Sequence, residues 1–276
     1  MDYVLPAEIV SDALRAAEKK THLSVRDLLI RGILAGVFLG YATSLAVLAV
    51  SQGLPAIVGA IVFPVGIVML VLLGLELATG NFALLPAALL DGRISLGAML
   101  RNWTWVYAGN LIGSVLYAWL LYAAITNFGT NNGGALADQL RQIAQKKTLA
   151  YEALGAAGWS TALVKGLLCN WMVTVGTMLA FASRSTAGKI FAMWLPITTF
   201  FAHGYEHSIV NMFVIPAGMF LGAPVSITKW WLWNQIPVTL GNIIAGALFT
   251  GIALWLTHGQ KQPRMVEEVA VAAKAG

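Results

Sequence analysis

The chain has 276 residues, of which 58% are hydrophobic and 11% are charged. Soluble domains carry about 25% charged residues, so this composition excludes an ordinary soluble domain. The formal net charge is +5, but the basic residues lie mostly where membrane orientation places them, so the charge does not indicate a nucleic-acid partner. The single cysteine, Cys169, excludes an internal disulfide and a thiolate metal cluster.

Residues 1–27 are predicted to form a cytoplasmic amphipathic helix. The segment has no short apolar core before a small-residue cleavage site, so we do not interpret it as a signal peptide. Its apolar residues at helical spacing are Ile9, Val10, Ala13, Leu14 and Ala17. We expect this helix to lie on the membrane surface. An ordinary tail helix on the soluble side is the alternative.

Six membrane-spanning segments are predicted, near residues 28–51, 54–90, 103–127, 158–182, 188–221 and 230–257. A spanning helix needs about 20 apolar residues, so the second and fifth segments are too long for one crossing. Each of the two carries an acid near its middle, Glu76 or Glu206, and prolines along its length. We interpret both as broken helices, whose irregular backbone must be satisfied by protein or by a water-filled cavity.

The distribution of Lys and Arg predicts the orientation. Twelve of the 17 basic residues fall on the side that holds both termini, four fall on the other side, and Lys165 lies within a span. Because cytoplasmic loops carry the excess of Lys and Arg, both termini are predicted to be cytoplasmic. Residues 128–157 then form an external loop, and residues 258–276 form a cytoplasmic tail.

Three stretches of the first half recur in the second half, in the same order and at offsets of 134, 130 and 132 residues. The pairs are RGILAGVFLGYATSL with KGLLCNWMVTVGTML, GLELATGNF with GYEHSIVNM, and LRNWTWVYAGNLI with LWNQIPVTLGNII. A repeat with three crossings places its second copy upside down in the membrane. The predicted fold is an all-α integral membrane protein with six transmembrane helices. They form two inverted three-helix repeats, residues 28–127 and 158–257, each with one broken helix.

Two residues at the breaks are the main functional candidates. His207 offers one N–H donor when it is neutral and two when it is protonated, and its charge can change near neutral pH. We predict that it is a selectivity residue or proton donor in a pore. The hydroxyl of Thr79, in the other break, can bond a histidine nitrogen. A packed core histidine and a loop cap are the respective alternatives.

Polar side chains flank these two residues at each break. Glu76 and Glu206 are symmetry mates, which either bond exposed backbone N–H groups or shape the charge of His207. Asn81 and Asn211 are predicted to brace the broken backbone, since an amide satisfies both a donor and an acceptor.

Cations and apolar residues near the breaks complete a predicted anion pathway. Lys165 lies near the external end of its span, and Arg31 is its mate at the cytoplasmic side. A cation at each mouth raises the local anion concentration, although Arg31 is better explained by snorkelling to the interface. Apolar constrictions gate pores by dewetting, and plain packing is the alternative. The constriction candidates are Phe63, Ile67, Leu77 and Phe200.

The stretch HGYEH, residues 203–207, also fits the H-x-x-E-H pattern of inverted zinc peptidases. Such a site needs a third protein ligand. The acids downstream are Glu267 and Glu268, in a polar tail, and His203 has no counterpart in the first repeat. A membrane zinc enzyme is therefore the remote alternative.

The segments GLELATGNF, KGLLCNWMV and EHSIVNMF, with the amino-terminal LPAEIVSDALRAAEKK, resemble the formate/nitrite transporter family over residues 5–257. The resemblance implies pentamers of aquaporin-like protomers, each with its own pore. It places the family's central histidine on His207, its hydroxyl on Thr79, and its vestibule lysines on Lys165 and Lys20. Its constriction residues fall on the four candidates above. Asn170, in CNWMV, joins the glutamates and asparagines that support the breaks.

One position departs from the family pattern. Ala78 stands where a bulky residue is common in formate channels, and a smaller side chain widens the external constriction. We therefore expect an inner-membrane channel for a small monovalent anion, with formate first, nitrite second and hydrosulfide third. This function requires neither an enzymatic step nor a cofactor.

Overall fold

The structure, a computed structural model, describes residues 2–259. Within that range the chain is helical and has no β-strand, apart from an isolated bridge between Tyr3 and Ser183, so the all-α class is confirmed. The helices are α1 (Pro6–Thr21), α2 (Val25–Ser51), α3 (Ala56–Val62), α4 (Val65–Leu72), α5 (Ala78–Leu90), α6 (Leu96–Thr126), α7 (Gly134–Lys146), α8 (Leu149–Ala153), α9 (Ala156–Leu179), α10 (Thr186–Ala202), α11 (Ser208–Phe220) and α12 (Ile227–His258). The predicted tail lies outside the described residues after Gly259.

Four helices, α2, α6, α9 and α12, are long and apolar enough to cross a bilayer. Three of them start at a serine, Ser24, Ser95 or Ser226, whose side chain accepts the backbone N–H three residues later. This N-cap satisfies one of the donors that the first turn leaves free. α12 contains two π-helical stretches, Trp231–Gln235 and Ala245–Ile252.

Glycines allow the long helices to pack backbone to backbone. A Cβ at Gly113 of α6 would lie 2.0 Å from the carbonyl oxygen of Ile33 in α2. In the second half, a Cβ at Gly241 of α12 would lie 2.2 Å from the carbonyl oxygen of Leu163 in α9. Small residues at such contacts are typical of helix packing in membranes.

The two long apolar segments are interrupted at their acids, as predicted. The first break covers residues 73–77 between α4 and α5, and the second covers 203–207 between α10 and α11. Gly74 and Gly204 have φ angles of 63° and 64°, a left-handed conformation that glycine adopts without steric cost. The first segment also turns at residues 63–64, between α3 and α4, and the sequence did not predict this second interruption.

Three prolines of these segments do not mark breaks. Pro86, Pro196 and Pro216 lie inside α5, α10 and α11. In membrane helices, neighbouring groups satisfy the backbone atoms that a proline frees, so a proline there need not end the helix.

Residues 128–157, which were predicted to form an external loop, contain the helices α7 and α8. α7 is the counterpart of α1 at an offset of 127 residues, an offset that also aligns EKKT at 18–21 with QKKT at 145–148. The buried residues correspond too: Val10, Ala13 and Ala17 of α1 match Ala137, Leu140 and Ala144 of α7.

The apolar face of α1 is covered by protein. Val10, Leu14 and Ala17 pack with Leu84 and Leu85 of α5 in one buried cluster. The expectation that this face lies on the membrane surface is therefore wrong. The sequence showed the amphipathic stripe, but it could not show that α5 covers it.

Candidate functional site

The two broken segments meet at Thr79 and His207, although Thr79 follows the first break instead of lying in it as predicted. Thr79 lies in the first turn of α5, and His207 precedes the first residue of α11. The Thr79 hydroxyl lies 3.1 Å from Nε2 of His207, and both side chains are buried. The structure thus brings together the two main candidates from segments that are 128 residues apart.

The contacts of His207 determine which ring nitrogen carries the proton. Its Nδ1 accepts the backbone N–H of Val210 at 3.2 Å, as the N-cap of α11. A nitrogen that accepts an N–H has no proton of its own, so the neutral ring carries its proton on Nε2. The N–H of His207 therefore points at Thr79, in the space between the two breaks.

Aromatic side chains adjoin the histidine. The ring of Phe200 stacks on His207 with centroids 5.8 Å apart, and Phe63 meets Phe200 edge to face at 5.6 Å. Phe201 also stacks on Phe63 at 4.1 Å. Two of the four constriction candidates, Phe63 and Phe200, therefore belong to one apolar cluster beside His207.

Glu76, in the first break, is held by a lysine and an asparagine. Lys20 Nζ lies 2.7 Å from Oε1, and the Asn81 amide donates to Oε2 at 2.8 Å. The same amide donates to Asn102 at 2.9 Å, and the Asn102 amide donates to the carbonyl oxygen of Lys20 at 3.3 Å. The buried carboxylate is thus paired and hydrogen-bonded, as a buried charge requires.

Glu206, in the second break, has the equivalent partners. Lys147 Nζ lies 2.7 Å from Oε2, and the Asn211 amide donates to the same oxygen at 2.8 Å. Asn211 also donates to Asn234, whose amide donates to the carbonyl oxygen of Lys147, both at 2.9 Å. The hydroxyl of Tyr151 donates to Oε1 at 2.8 Å. This last bond adds a donor that Glu76 lacks.

Asparagines satisfy the irregular backbone, in place of the glutamates considered for that role. Asn110 accepts the N–H of Ala78 at 3.0 Å and donates to the carbonyl oxygens of Glu76 and Gly32, both at 2.9 Å. Asn242 makes the equivalent three bonds, with the N–H of Ser208 and the carbonyl oxygens of Glu206 and Gly166. The glutamate side chains bond lysine, asparagine and tyrosine side chains instead. The amides of Asn81 and Asn211, which were predicted to brace the backbone, also bond side chains: they donate to these glutamates and to Asn102 and Asn234.

Asn170 links the two halves of the molecule. Its amide donates to the carbonyl oxygen of Thr79 at 3.1 Å and to that of Asn242 at 2.7 Å. The side chain is fully buried in α9. Asn170 therefore fixes the backbone that presents the Thr79 hydroxyl to His207.

Several of these residues were missed by the sequence analysis: Asn102, Asn110, Lys147, Tyr151, Asn234 and Asn242. The asparagines were visible, because they occupy matching positions of LRNWTWVYAGNLI and LWNQIPVTLGNII. Lys147 was visible in the KKT match. Tyr151 has no counterpart at that offset, where Ser24 stands, so the repeat gave no signal for it.

A cavity of about 410 Å³ lies beside the first break. Ile67 and Leu77, the other two constriction candidates, belong to its apolar wall, and both are buried. Lys20 lines this cavity, but its ammonium group is engaged by Glu76. Lys20, the second lysine predicted for the vestibule, is therefore a paired cation at the cavity wall.

Lys165 lies beside the second break. Its carbonyl oxygen accepts the N–H of Glu206 at 3.3 Å, and its ammonium group lies 5.7 Å from the ring centroid of Tyr151. The side chain is half-buried. This is a cation–π arrangement in which the ammonium group pairs with no carboxylate of residues 2–259.

The two histidines of HGYEH are not arranged around a common point. His203 is exposed, its Nδ1 lies 2.8 Å from the carbonyl oxygen of Thr199, and its ring stacks on Tyr205. His207 is buried, with both nitrogens engaged. Across residues 2–259 there is no group of three His, Cys, Asp or Glu side chains that could hold a metal ion.

The comparison with known proteins decides the family. The family model described as formate/nitrite transporter matches residues 7–256. The chain belongs to the formate/nitrite transporter family. The prediction of an integral membrane protein is thereby confirmed, since the family is one of transporters and residues 2–259 contain four helices long and apolar enough to cross a bilayer.

Curated relatives of this family member are full-length matches. It is 36% identical to a probable formate transporter of Methanothermobacter thermautotrophicus, over 92% of this chain and 96% of that protein. It is 32% identical to the formate channel BtFdhC of Bacillus thuringiensis, over 96% and 100% of the two chains. It is 31% identical to the formate channel FocA of Escherichia coli strain K12, over 93% and 95%.

Solved structures of the family share the fold. An ion channel of the family superposes with a TM-score of 0.78 at 26% identity, covering 91% of this chain and 98% of the other. A pentameric formate channel with formate bound superposes with a TM-score of 0.70 at 28% identity, covering 86% and 98%.

Proposed function

We propose that this family member is a channel for a small monovalent anion, with formate as the first substrate and nitrite as the alternative. The relatives named as formate transporters or channels support formate, and the family description supports both anions. By analogy with the pentameric neighbour, the protein forms a homopentamer in the inner membrane. Each protomer has its own pore, and both termini are cytoplasmic.

The protomer is proposed to consist of two inverted repeats with six crossings. The bonds at the two breaks support this arrangement, because the Lys20–Glu76 pair corresponds to the Lys147–Glu206 pair at the same 2.7 Å distance. The correspondence extends to the helices that carry these lysines, α1 and α7. Each repeat therefore begins with an amphipathic helix, earlier than the boundaries at residues 28 and 158.

The pore centre is proposed to lie between Thr79 and His207. The half-helices α5 and α11 both begin there, so the positive ends of two helix dipoles face the site. The apolar rings of Phe63 and Phe200 adjoin it, and together with Ile67 and Leu77 they keep it dry. The desolvation free energy of a bare anion in such a place is large and unfavourable, so a positioned N–H donor strongly lowers the free energy of the anion there.

The single observation that carries the mechanism is the bond from Val210 N–H to Nδ1 of His207. With Nδ1 occupied as an acceptor, a proton given up by Nε2 would leave an imidazolate. We therefore favour hydrogen-bond donation by Nε2–H over proton donation. Thr79 accepts that N–H at rest and releases it to the passing anion. Ala78, next to Thr79, is the fifth constriction candidate, and its small side chain supports a pore that admits nitrite as well as formate.

The test is flux of formate and of nitrite into proteoliposomes, at about pH 5 and about pH 7.5, on either side of the ordinary histidine pKa. His207→Ala should lower flux about tenfold or more, because a hydrogen bond to a charged group contributes about 1.5–3 kcal/mol. His207→Gln retains a neutral N–H donor at similar reach and should keep much of the flux at both pH values. If His207→Ala matches the wild type throughout, the histidine only supports the broken helix. If His207→Gln is as inactive as His207→Ala, hydrogen-bond donation alone is insufficient.

A further inference from the structure

The cavity beside the first break has more positive charge than is needed to balance the charge of one monovalent anion. Within residues 2–259, four cations line it, Lys19, Lys20, Arg31 and Lys189, and Glu76 is the single carboxylate that does so. Glu76 is already paired with Lys20. Across residues 2–259, the other three cations form no ion pair with a carboxylate.

These three cations come from different elements that converge on one space. Lys19 is on the last turn of α1, Arg31 is on α2, and Lys189 is on α10. The Arg31 guanidinium also lies 3.4 Å from the carbonyl oxygen of Gly74, at the first break. A concave wall that carries charge of one sign focuses the field and concentrates counter-ions. Multivalent anions are attracted most strongly, because the electrostatic energy scales with the product of the charges.

The inner end of the cavity cannot pass such an anion. Ile67 and Leu77 form an apolar wall there, and each is less than a tenth exposed. A polyvalent anion would have to lose the water around several charges at once, at a cost that rises steeply with charge. It would therefore stay in the cavity, in the path of a monovalent anion.

We propose that this cavity is a binding site for polyvalent phosphorylated anions, which occupy the mouth of the pore and block it. The volume of about 410 Å³ is within the range of small-molecule pockets, about 300–1,000 Å³. The block rests on the proposed channel function, whereas binding to the cavity does not. The site gives the channel a means to respond to the concentration of soluble phosphorylated compounds on the side of α1.

The first test is binding of inorganic pyrophosphate to the purified full-length protein by isothermal titration calorimetry. Arg31→Gln/Lys189→Gln should weaken binding about tenfold or more, since it removes two of the three lining cations that have no carboxylate partner among residues 2–259. Arg26→Gln is the matched control, because Arg26 is an exposed cation of the same helix that does not line the cavity. It should bind as the wild type does. Absence of binding, or equal binding by the double variant, overturns the proposal.

The second test is formate flux into proteoliposomes with pyrophosphate on both sides, so that the orientation of the protein does not matter. Flux should fall severalfold in the wild type and in Arg26→Gln, and the double variant should need about tenfold more pyrophosphate for the same block. Binding without block overturns the occlusion mechanism. If the wild type carries no formate, the proposed substrate is wrong, and the calorimetry still decides whether the cavity binds the anion.

Discussion

Substitution of Lys147 by methionine tests the cluster around Glu206. The carboxylate is 2% exposed and accepts from Lys147, Tyr151, Asn211 and Asn234 at 2.7–3.3 Å. Removing one partner of a buried ion pair costs about 3–5 kcal/mol. Because three neutral donors remain, we expect Lys147→Met to lower the free energy of unfolding by about 3 kcal/mol, near the lower end of that range. Lys147→Met/Glu206→Gln should recover most of that loss, since no charge is then left buried.

The control is Lys229→Met. Lys229 pairs with Glu152 at the same 2.7 Å, but the two side chains are 42% and 34% exposed. An exposed pair contributes about 0–1 kcal/mol, so this variant should be close to the wild type. The assay is thermal unfolding of the detergent-solubilised proteins, followed by loss of the size-exclusion peak. The reasoning fails if Lys147→Met is no less stable than Lys229→Met, or if the double variant is no more stable than Lys147→Met.

Two further perturbations concern packing and pH. Gly113→Ala should lower the thermal unfolding midpoint strongly, because its Cβ would lie 2.0 Å from a backbone oxygen of α2. Gly97→Ala in the same helix is the control and should leave the midpoint unchanged, because its Cβ would meet nothing closer than 3.9 Å. Equal midpoints for the two variants would contradict the close helix contact. The Ser183 hydroxyl and the backbone N–H of Ser185 hold the pKa of Asp2 below its usual range. Since the folded pKa is lowered, the stabilisation by Asp2 is present above the unfolded value of about 3.9 and is lost as pH falls through the folded pKa. Asp2→Asn should therefore lower the protection of the first turn of α10 against hydrogen exchange at neutral pH, and this protection should no longer fall in acid. A pH profile of protection that is the same as in the wild type would contradict this role.

Much of the architecture follows from local composition. The long apolar segments at residues 54–90 and 188–221, with the isolated acids Glu76 and Glu206, predicted membrane segments and the positions of both breaks. The repeat then paired the breaks, and the structure places Thr79 within 3.1 Å of His207. These predictions succeed because the cost of placing charge or irregular backbone in lipid is large enough to be visible in a single sequence.

The amphipathic helices show where local pattern is insufficient. The apolar face of α1 has the same sequence pattern whether it faces lipid headgroups or α5. The apolar face of α7 was not predicted, because it lies in a segment too polar to span the membrane. Both helices are explained by what covers them, Leu84 and Leu85 for α1 and residues of α11 for α7. An amphipathic pattern specifies that a face is buried and leaves its partner unspecified.

The residue types at the proposed pore could therefore be identified from the sequence alone: a histidine, a threonine and two acids in apolar surroundings. The ion pairing and protonation of these residues could not be identified from the sequence. Glu206 is paired because Lys147, 59 residues earlier in the chain, is carried to it by α7. His207 has its proton on Nε2 because the first turn of α11 places Val210 N–H on the other nitrogen. Partner choice depends on the packing of elements that are distant in sequence, and a buried charge or ring nitrogen takes its properties from those partners.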